Sequence, residues 1–243
     1  MAKSSGLGDA FYVGGYDLSG DTSALSKIGG SLGVLDVTAI NKSAFERLGG
    51  VRDGGIDWTS YFNPTGAHPV LSALPTADII ATYANGTALG NPAACIVAKQ
   101  VNYDGTRGQD GSLTFGVQAT ANAYGLEWGV QLTAGLRTDT AATNGTGVDQ
   151  AASTSFGWQA YLQVTAFTGT SVTVKIQDSA DNSSWADLSG AGFTAATGIT
   201  SQRLQAASGT ATVRRYVRAV TTGTFNPATF SVVFVKNLTT VTF

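Results

Sequence analysis

Strict two-residue alternation, broken at intervals by glycine, is the feature that most constrains what this chain can become. In residues 112–121, Leu113, Phe115, Val117 and Ala119 share one side; in residues 125–133, Leu126, Trp128, Val130 and Leu132 do the same. Strand side chains point alternately to opposite faces, so this period buries one face and leaves the other polar. The two segments are joined by Ala-Asn-Ala-Tyr-Gly and read as a hairpin. No heptad, no long amphipathic helix and no repeat of 20–50 residues competes with the pattern. The expected class is mainly β.

The same reading extends along the chain. Residues 1–35 read as an arm and loop around a short strand at Phe11-Tyr12-Val13, with residues 31–37 forming the next strand. Asn41-Lys42-Ser43 offers a cap for a short helix over Ala44-Phe45-Glu46-Arg47-Leu48, which Gly49-Gly50 would end. Residues 51–62 alternate, with Ile56, Trp58, Ser60 and Phe62 on one face and Asp57, Thr59 and Tyr61 on the other. Residues 68–74 suit a second short helix, with Pro69 in its first turn and Pro75 beyond its end. Strands follow at 78–83 and 94–103, then a polar loop at 104–111. Residues 135–155 are poor in large apolar side chains and read as a linker. Strands at 158–167, 171–178, 184–188, 212–222 and 229–236 then suggest a sandwich.

Composition narrows the function. A chain of 243 residues can bury a real core, and 43% hydrophobic residues exclude disorder. Only 12% are charged, about half the usual share, which leaves a broad neutral surface suited to subunit contacts. Residues 1–150 carry eight Lys and Arg against thirteen Asp and Glu, and residues 151–243 carry six against three. The acidic first part argues against tight duplex binding, which needs clustered cations. The N-terminus has no apolar run typical of a secretory signal, and no run approaches a membrane span of about 20 residues. Five N-x-S/T triplets, at Asn41, Asn85, Asn144, Asn182 and Asn237, are what a Ser- and Thr-rich chain produces by chance.

Reactive side chains are scarce: one His, one Cys and two Glu. His68, beside Pro69 at a predicted helix start, is the only conventional general base near neutrality, and its bland reading is structural. No nucleophile-elbow sequence occurs. His and Cys together cannot supply three zinc ligands. Cys95, in Ala94-Cys95-Ile96-Val97, reads as a small core residue. Asp178-Ser179-Ala180-Asp181-Asn182 could offer oxygens to Ca²⁺ but is more simply a hairpin turn. Glu46, Glu127 and Asp57 are candidates for paired carboxylates, with solvated or interface positions as the simpler reading. Gly29-Gly30-Ser31-Leu32-Gly33 lacks the ending of a phosphate loop and reads as turn chemistry. Arg214, Tyr216 and Arg218 share a strand face that suits an interface, sugar or nucleic acid. Trp158 and Trp185 could form a carbohydrate platform, although Trp in a small sandwich is usually core. No catalytic, cofactor or metal residue is assigned, and no enzyme activity is expected.

The order of pieces in VLDVTAINKSAFERLGGVRDGGIDWTSYFN, HPVLSAL and ACIVAKQVNYDGTRGQDGSLTFGVQATANAYGLEWGVQLT resembles the major tail protein, or tail tube protein, of long-tailed bacteriophages. The last part, with QDSADNSSWADL and VRRYVRAV, resembles the accessory β-sandwich domains of phage structural proteins. The resemblance implies a tail-tube-type β-sandwich or barrel with one or two short helices, followed by a C-terminal β-sandwich domain. The corresponding divisions are an arm at 1–35, a tail-tube-like domain at 36–135, a linker at 136–155 and the accessory domain at 156–243. It further implies a virion tail subunit made in the host cytoplasm, hexameric rings stacked into a tube, tape-measure and tail-terminator partners, and passage of DNA without specific binding. An acidic lumen would keep DNA mobile, with Asp57 and Glu127 as candidate lining residues. The competing expectations are a carbohydrate-binding or host-adhesion module centred on residues 156–243, and a head decoration protein.

Overall fold

A computed structural model describes residues 5–240. The strands are β1 (Ala10–Val13), β2 (Tyr16–Asp17), β3 (Thr22–Asp36), β4 (Arg47–Tyr61), β5 (Ile79–Ala84), β6 (Pro92–Gln100), β7 (Asp104–Arg107) and β8 (Leu113–Ala121). They continue as β9 (Glu127–Gln131), β10 (Arg137–Asp139), β11 (Val148–Asp149), β12 (Trp158–Ser179), β13 (Ala186–Gly192), β14 (Thr200–Gln205) and β15 (Tyr216–Lys236). One five-residue helix, α1 (Ala67–Leu71), lies between β4 and β5. The chain is mainly antiparallel β, as the alternation requires. It forms two compact units. One comprises the described residues up to Gly20, Ile80–Cys95 and the described residues from Trp128 on; the other comprises Asp21–Ile79 and Ile96–Glu127.

In the first unit the strand order is β13-β12-β15-β9-β6-β5-β1-β2, with β14 on β12 and β10 and β11 on β15. β12 and β15 pair along nearly their whole length, from Trp158↔Lys236 to Ser179↔Tyr216. Trp158, Leu162, Val164, Val172, Val174, Ile176, Phe230 and Phe234 belong to its core. Register shifts between Val164 and Ser171 bend the pair. Gly223 sits at this bend with φ +122°, and a side chain there would meet the Ser171 carbonyl oxygen, so the close approach of the two strands requires glycine.

In the second unit β3 pairs β4, β4 pairs β8 and β8 pairs β7. The last residues of β6 also join β8, at Ala98↔Ala121 to Gln100↔Ala119. Ile56, Trp58, Ser60, Val117 and Ala119 form the buried face, as expected from their spacing. The short helix packs through Ala67 and Leu71, and Gln100 Nε2 donates to the Leu71 carbonyl. Its first turn is capped from a distance: Asp21 Oδ2 accepts from Ala67 N–H at 2.9 Å, and both Asp21 oxygens accept from Asn63 Nδ2.

Several expectations are corrected. Residues 44–48 form no helix, because Leu35↔Leu48 and Asp36↔Arg47 are β pairs. Five residues gain one hydrogen-bonded turn at most, and a fifteen-residue ladder outweighs it. The strand expected at 31–37 begins already at Thr22, so residues 22–30 are strand rather than arm or loop, and Gly29–Gly33 lie inside β3 rather than in a turn. The loop expected at 104–111 begins as β7, folded back on β8. The segments 112–121 and 125–133 are not hairpin partners: β9 joins β15 and β6, while β8 joins β4, β6 and β7. Residues 136–155, expected to link two domains, carry β10 and β11 and bridge to β15 at Asn144↔Val220. The units interleave in sequence, so boundaries at 35, 135 and 155 do not delimit them. Local polarity signals exposure along a segment but not whether its backbone joins a ladder.

Candidate assembly surface

The β3–β4 hairpin is twice the length its sheet needs. β4 meets β8 only from Gly55 to Tyr61, and residues 47–54 have β3 as their strand partner. At about 3.3 Å per residue this extension is about 25 Å long, and the ten-residue loop 37–46 lies at its end. The extension exposes Leu32, Val34, Leu35, Leu48 and Val51; in the loop Val37 is exposed, Phe45 is 68% exposed and Ile40 fully so. An unbranched two-stranded ribbon has no second layer on which to bury these side chains. An arm that exposes this many apolar side chains is a candidate interaction surface.

Leu126 closes the base of the arm. Its backbone passes so near Gly54 that a side chain there would strike the Leu126 nitrogen. Polar contacts order the tip: Lys42 Nζ lies 2.9 Å from Glu46 Oε1, and Asp36 accepts from the Thr38 hydroxyl and backbone N–H. The Thr38 bonds hold the Asp36 carboxyl below its ordinary pKa.

The second unit also has open edges and one polar face. Among the described residues, β3 is paired on one side only, and β7 likewise. Opposite the buried face lie Lys27, Asp57 and Gln118 in one cross-strand row, with Thr59 and Gly116, Gly55 and Thr120, and Tyr61 and Thr114 in neighbouring rows. Asp104 and Thr106 continue this face on β7. It is small and hydrophilic, with Lys27 directly opposite Asp57.

The residues singled out in the sequence do not converge. Glu46 is at the arm's tip, Asp57 on the polar sheet face, and Glu127 is buried at 5% exposure. Glu127 therefore does not line an open surface. The alternation expected in β9 fails here: Trp128 is 51% exposed, whereas Gln131 is buried and its amide donates to the Gly86 carbonyl at 2.8 Å. A hydrogen bond thus places a polar side chain inward where spacing alone puts an apolar one.

His68 Nδ1 lies 3.1 Å from the Tyr103 hydroxyl, and its ring packs on Phe62 at 4.9 Å. Tyr103 in turn stacks on Phe115 at 4.1 Å, so His68 is part of an aromatic packing group. Cys95 is buried, with Sγ 3.6 Å from Thr82 Oγ1. The carboxylates of the 178–182 turn part company. Asp178 accepts from Arg214 N, Nε and Nη2, whereas Asp181 accepts from Ser179 Oγ, Ser183 N, Ser184 N and Ser184 Oγ. These bonds keep Asp181 well below the usual carboxylate range.

The aromatic platform expected on residues 156–243 is covered. The Arg218 guanidinium lies 4.3 Å above the Trp185 ring, and Arg215 lies 5.0 Å above Tyr216. Trp158 is fully buried against Phe234. The cations are engaged too: Arg215 forks onto Asp149 at 2.8 and 2.6 Å, and Arg218 onto Gln177. The strand face Arg214–Arg218 is thus a set of internal clasps.

No known protein family matches the chain, and no curated protein does. Among solved structures, the chain is similar to a component of the virion of a native gene transfer agent particle. That likeness has a TM-score of 0.43 at 12% identity, over 52% of this chain and 98% of the other. It is also similar to the SPP1 Dit (gp 19.1) protein, described as a paradigm of the hub adsorption apparatus in phages infecting Gram-positive hosts. There the TM-score is 0.36 at 12% identity, over 95% of this chain and 99% of the other. At these scores neither likeness assigns a role to this chain.

Proposed function

We propose that this chain is a structural subunit of a phage-type virion tail, which joins copies of itself into rings and stacks the rings into a tube for DNA. The observation that carries the reading is the β3–β4 arm, whose apolar side chains lack a covering layer in the single chain. Open edges at β3 and β7 support it, because strands of neighbouring copies can extend the sheet and remove those edges on ring closure. The polar face bearing Asp57, Gln118 and Thr120 suits a water-filled lumen, and its lack of clustered cations lets phosphates pass. The tail assignment, as against another place in the particle, rests on the resemblance of residues 10–135 to tail tube proteins. Six copies per ring, virion location and contact with tape-measure and terminator proteins belong to the same reading.

Negative-stain electron microscopy of the purified full chain at increasing concentration tests it. Rings or tubes far wider than a single chain are expected. A monomer at high concentration, without rings or tubes, would overturn the proposal.

A further inference from the structure

We propose that Trp128, Tyr83, Asp9 and Asn85 form a binding site for a neutral saccharide, independent of the assembly role. All four residues belong to the first unit. Trp128 keeps half its surface in contact with solvent, and its ring meets Tyr83 in a T-shaped arrangement, with centroids 6.5 Å apart and planes at 88°. Tyr83 is buried, so the indole is braced on that side while the rest of its surface stays open to solvent.

The rim of this platform is polar and fixed. The Tyr83 hydroxyl donates to Asp9 Oδ2 at 2.5 Å, and the Gly86 N–H donates to Asp9 Oδ1 at 2.7 Å. Asn85 Nδ2 lies 3.4 Å from Asp9 Oδ1 and 3.3 Å from the Tyr83 oxygen. Asn91 Nδ2 donates to the Asn85 carbonyl and holds the turn. Asp9 and Asn85 are both half-exposed. Asp9 Oδ2 accepts only from the Tyr83 hydroxyl among these contacts and has a second lone pair, so it can still accept from a ligand hydroxyl.

The chemistry selects the ligand. A pyranose offers a C–H face to an indole and vicinal hydroxyls to a carboxylate and an amide. Nucleic acid is disfavoured, because the contacts around Asp9 bring no Lys or Arg to offset its charge against a phosphate. A protein surface laid over the site would have to bury the Asp9 carboxylate, a cost that a hydroxyl donor avoids. Trp185, the other partly exposed indole considered for this role, is already covered by Arg218.

Saturation-transfer NMR on the full chain, with glucose, galactose, N-acetylglucosamine and maltose, is the test. Each sugar is supplied at about 10 mM, above the millimolar dissociation constants of weak sites. Transfer to at least one sugar is expected, abolished in Trp128→Ala, weakened about tenfold in Asn85→Ala and retained in Trp185→Ala. Circular dichroism of Trp128→Ala confirms that its fold is intact. Absence of transfer to all four sugars, or transfer that survives Trp128→Ala in a folded chain, overturns the site. Loss of self-association in Trp128→Ala without sugar binding by the parent chain would also overturn it, making Trp128 a subunit contact. Rings that form normally while sugar binding fails would leave the tail reading standing alone.

Discussion

Replacing Val34, Ile40 and Phe45 together by serine separates assembly from folding. All three side chains are exposed in the single chain, Ile40 fully and Phe45 at 68%. Exposed positions such as Val34 and Ile40 change stability by about 0.5 kcal/mol or less, while losing the Phe45 ring also removes its contact with the Arg47 guanidinium, 4.6 Å from the ring centroid and worth about 0.5–1 kcal/mol. Burying one such side chain in a neighbouring copy is worth about 1.5–3 kcal/mol when complete. Taking about 1 kcal/mol each for partial burial, the triple variant loses about 3 kcal/mol per contact. That corresponds to a roughly 150-fold weaker association. Sedimentation velocity over a concentration series measures the association, and thermal unfolding of the dilute chain measures the fold. The expected result is a large rightward shift in self-association with an almost unchanged midpoint. Unchanged association, or a midpoint lowered by many degrees, would show that these residues already pack within the chain, and the physical basis of the assembly surface would fail.

Three further outcomes follow from the geometry. Asp21→Ala removes the bonds to Ala67 N–H and Asn63 Nδ2 and should cost about 1–2 kcal/mol in urea unfolding, without preventing folding. Gly223→Ala forces a side chain against the Ser171 oxygen at a φ of +122°, so a loss of about 1–3 kcal/mol is expected in the same assay. Asp149 is held down to about 2, first by its hydrogen bonds from Arg215, which outweigh the opposing effect of desolvation. Its folded value lies below the unfolded one, so its contribution is present above pH 4 and fades as pH falls toward 2. In acid titration followed by circular dichroism, Asp149→Asn should flatten that part of the stability curve; an unaltered acid limb would contradict the assignment.

The parts of the fold that were legible in sequence are those set by local side-chain period. Ile56, Trp58, Ser60, Val117 and Ala119 share a buried face because a strand's geometry leaves them no alternative. Pairing was much less legible, since period says which way a residue points and nothing about its neighbour across the sheet. Thus the segments 112–121 and 125–133 looked like a hairpin, although β9 finds β15 through Val233↔Gln131 and Phe234↔Val130, about a hundred residues away. Trp128 illustrates the same limit at one residue. Its alternation with Val130 and Leu132 placed it in the core, but inward placement in β9 goes to Gln131, whose amide reaches the Gly86 carbonyl.

The arm was hidden for a related reason. Lys42 and Glu46 have the spacing of a helical ion pair, and Ala44–Leu48 has adequate helix formers. What defeats the helix is the alignment of residues 29–36 with 47–55, a ladder whose stabilisation grows with each added pair. The glycines of Gly29–Gly33, read from sequence as turn chemistry, lie inside this ladder, and Gly54 on the partner strand is the residue that lets it run past the Leu126 backbone. The result is a ribbon longer than the sheet that supports it, carrying apolar side chains which a single copy cannot cover.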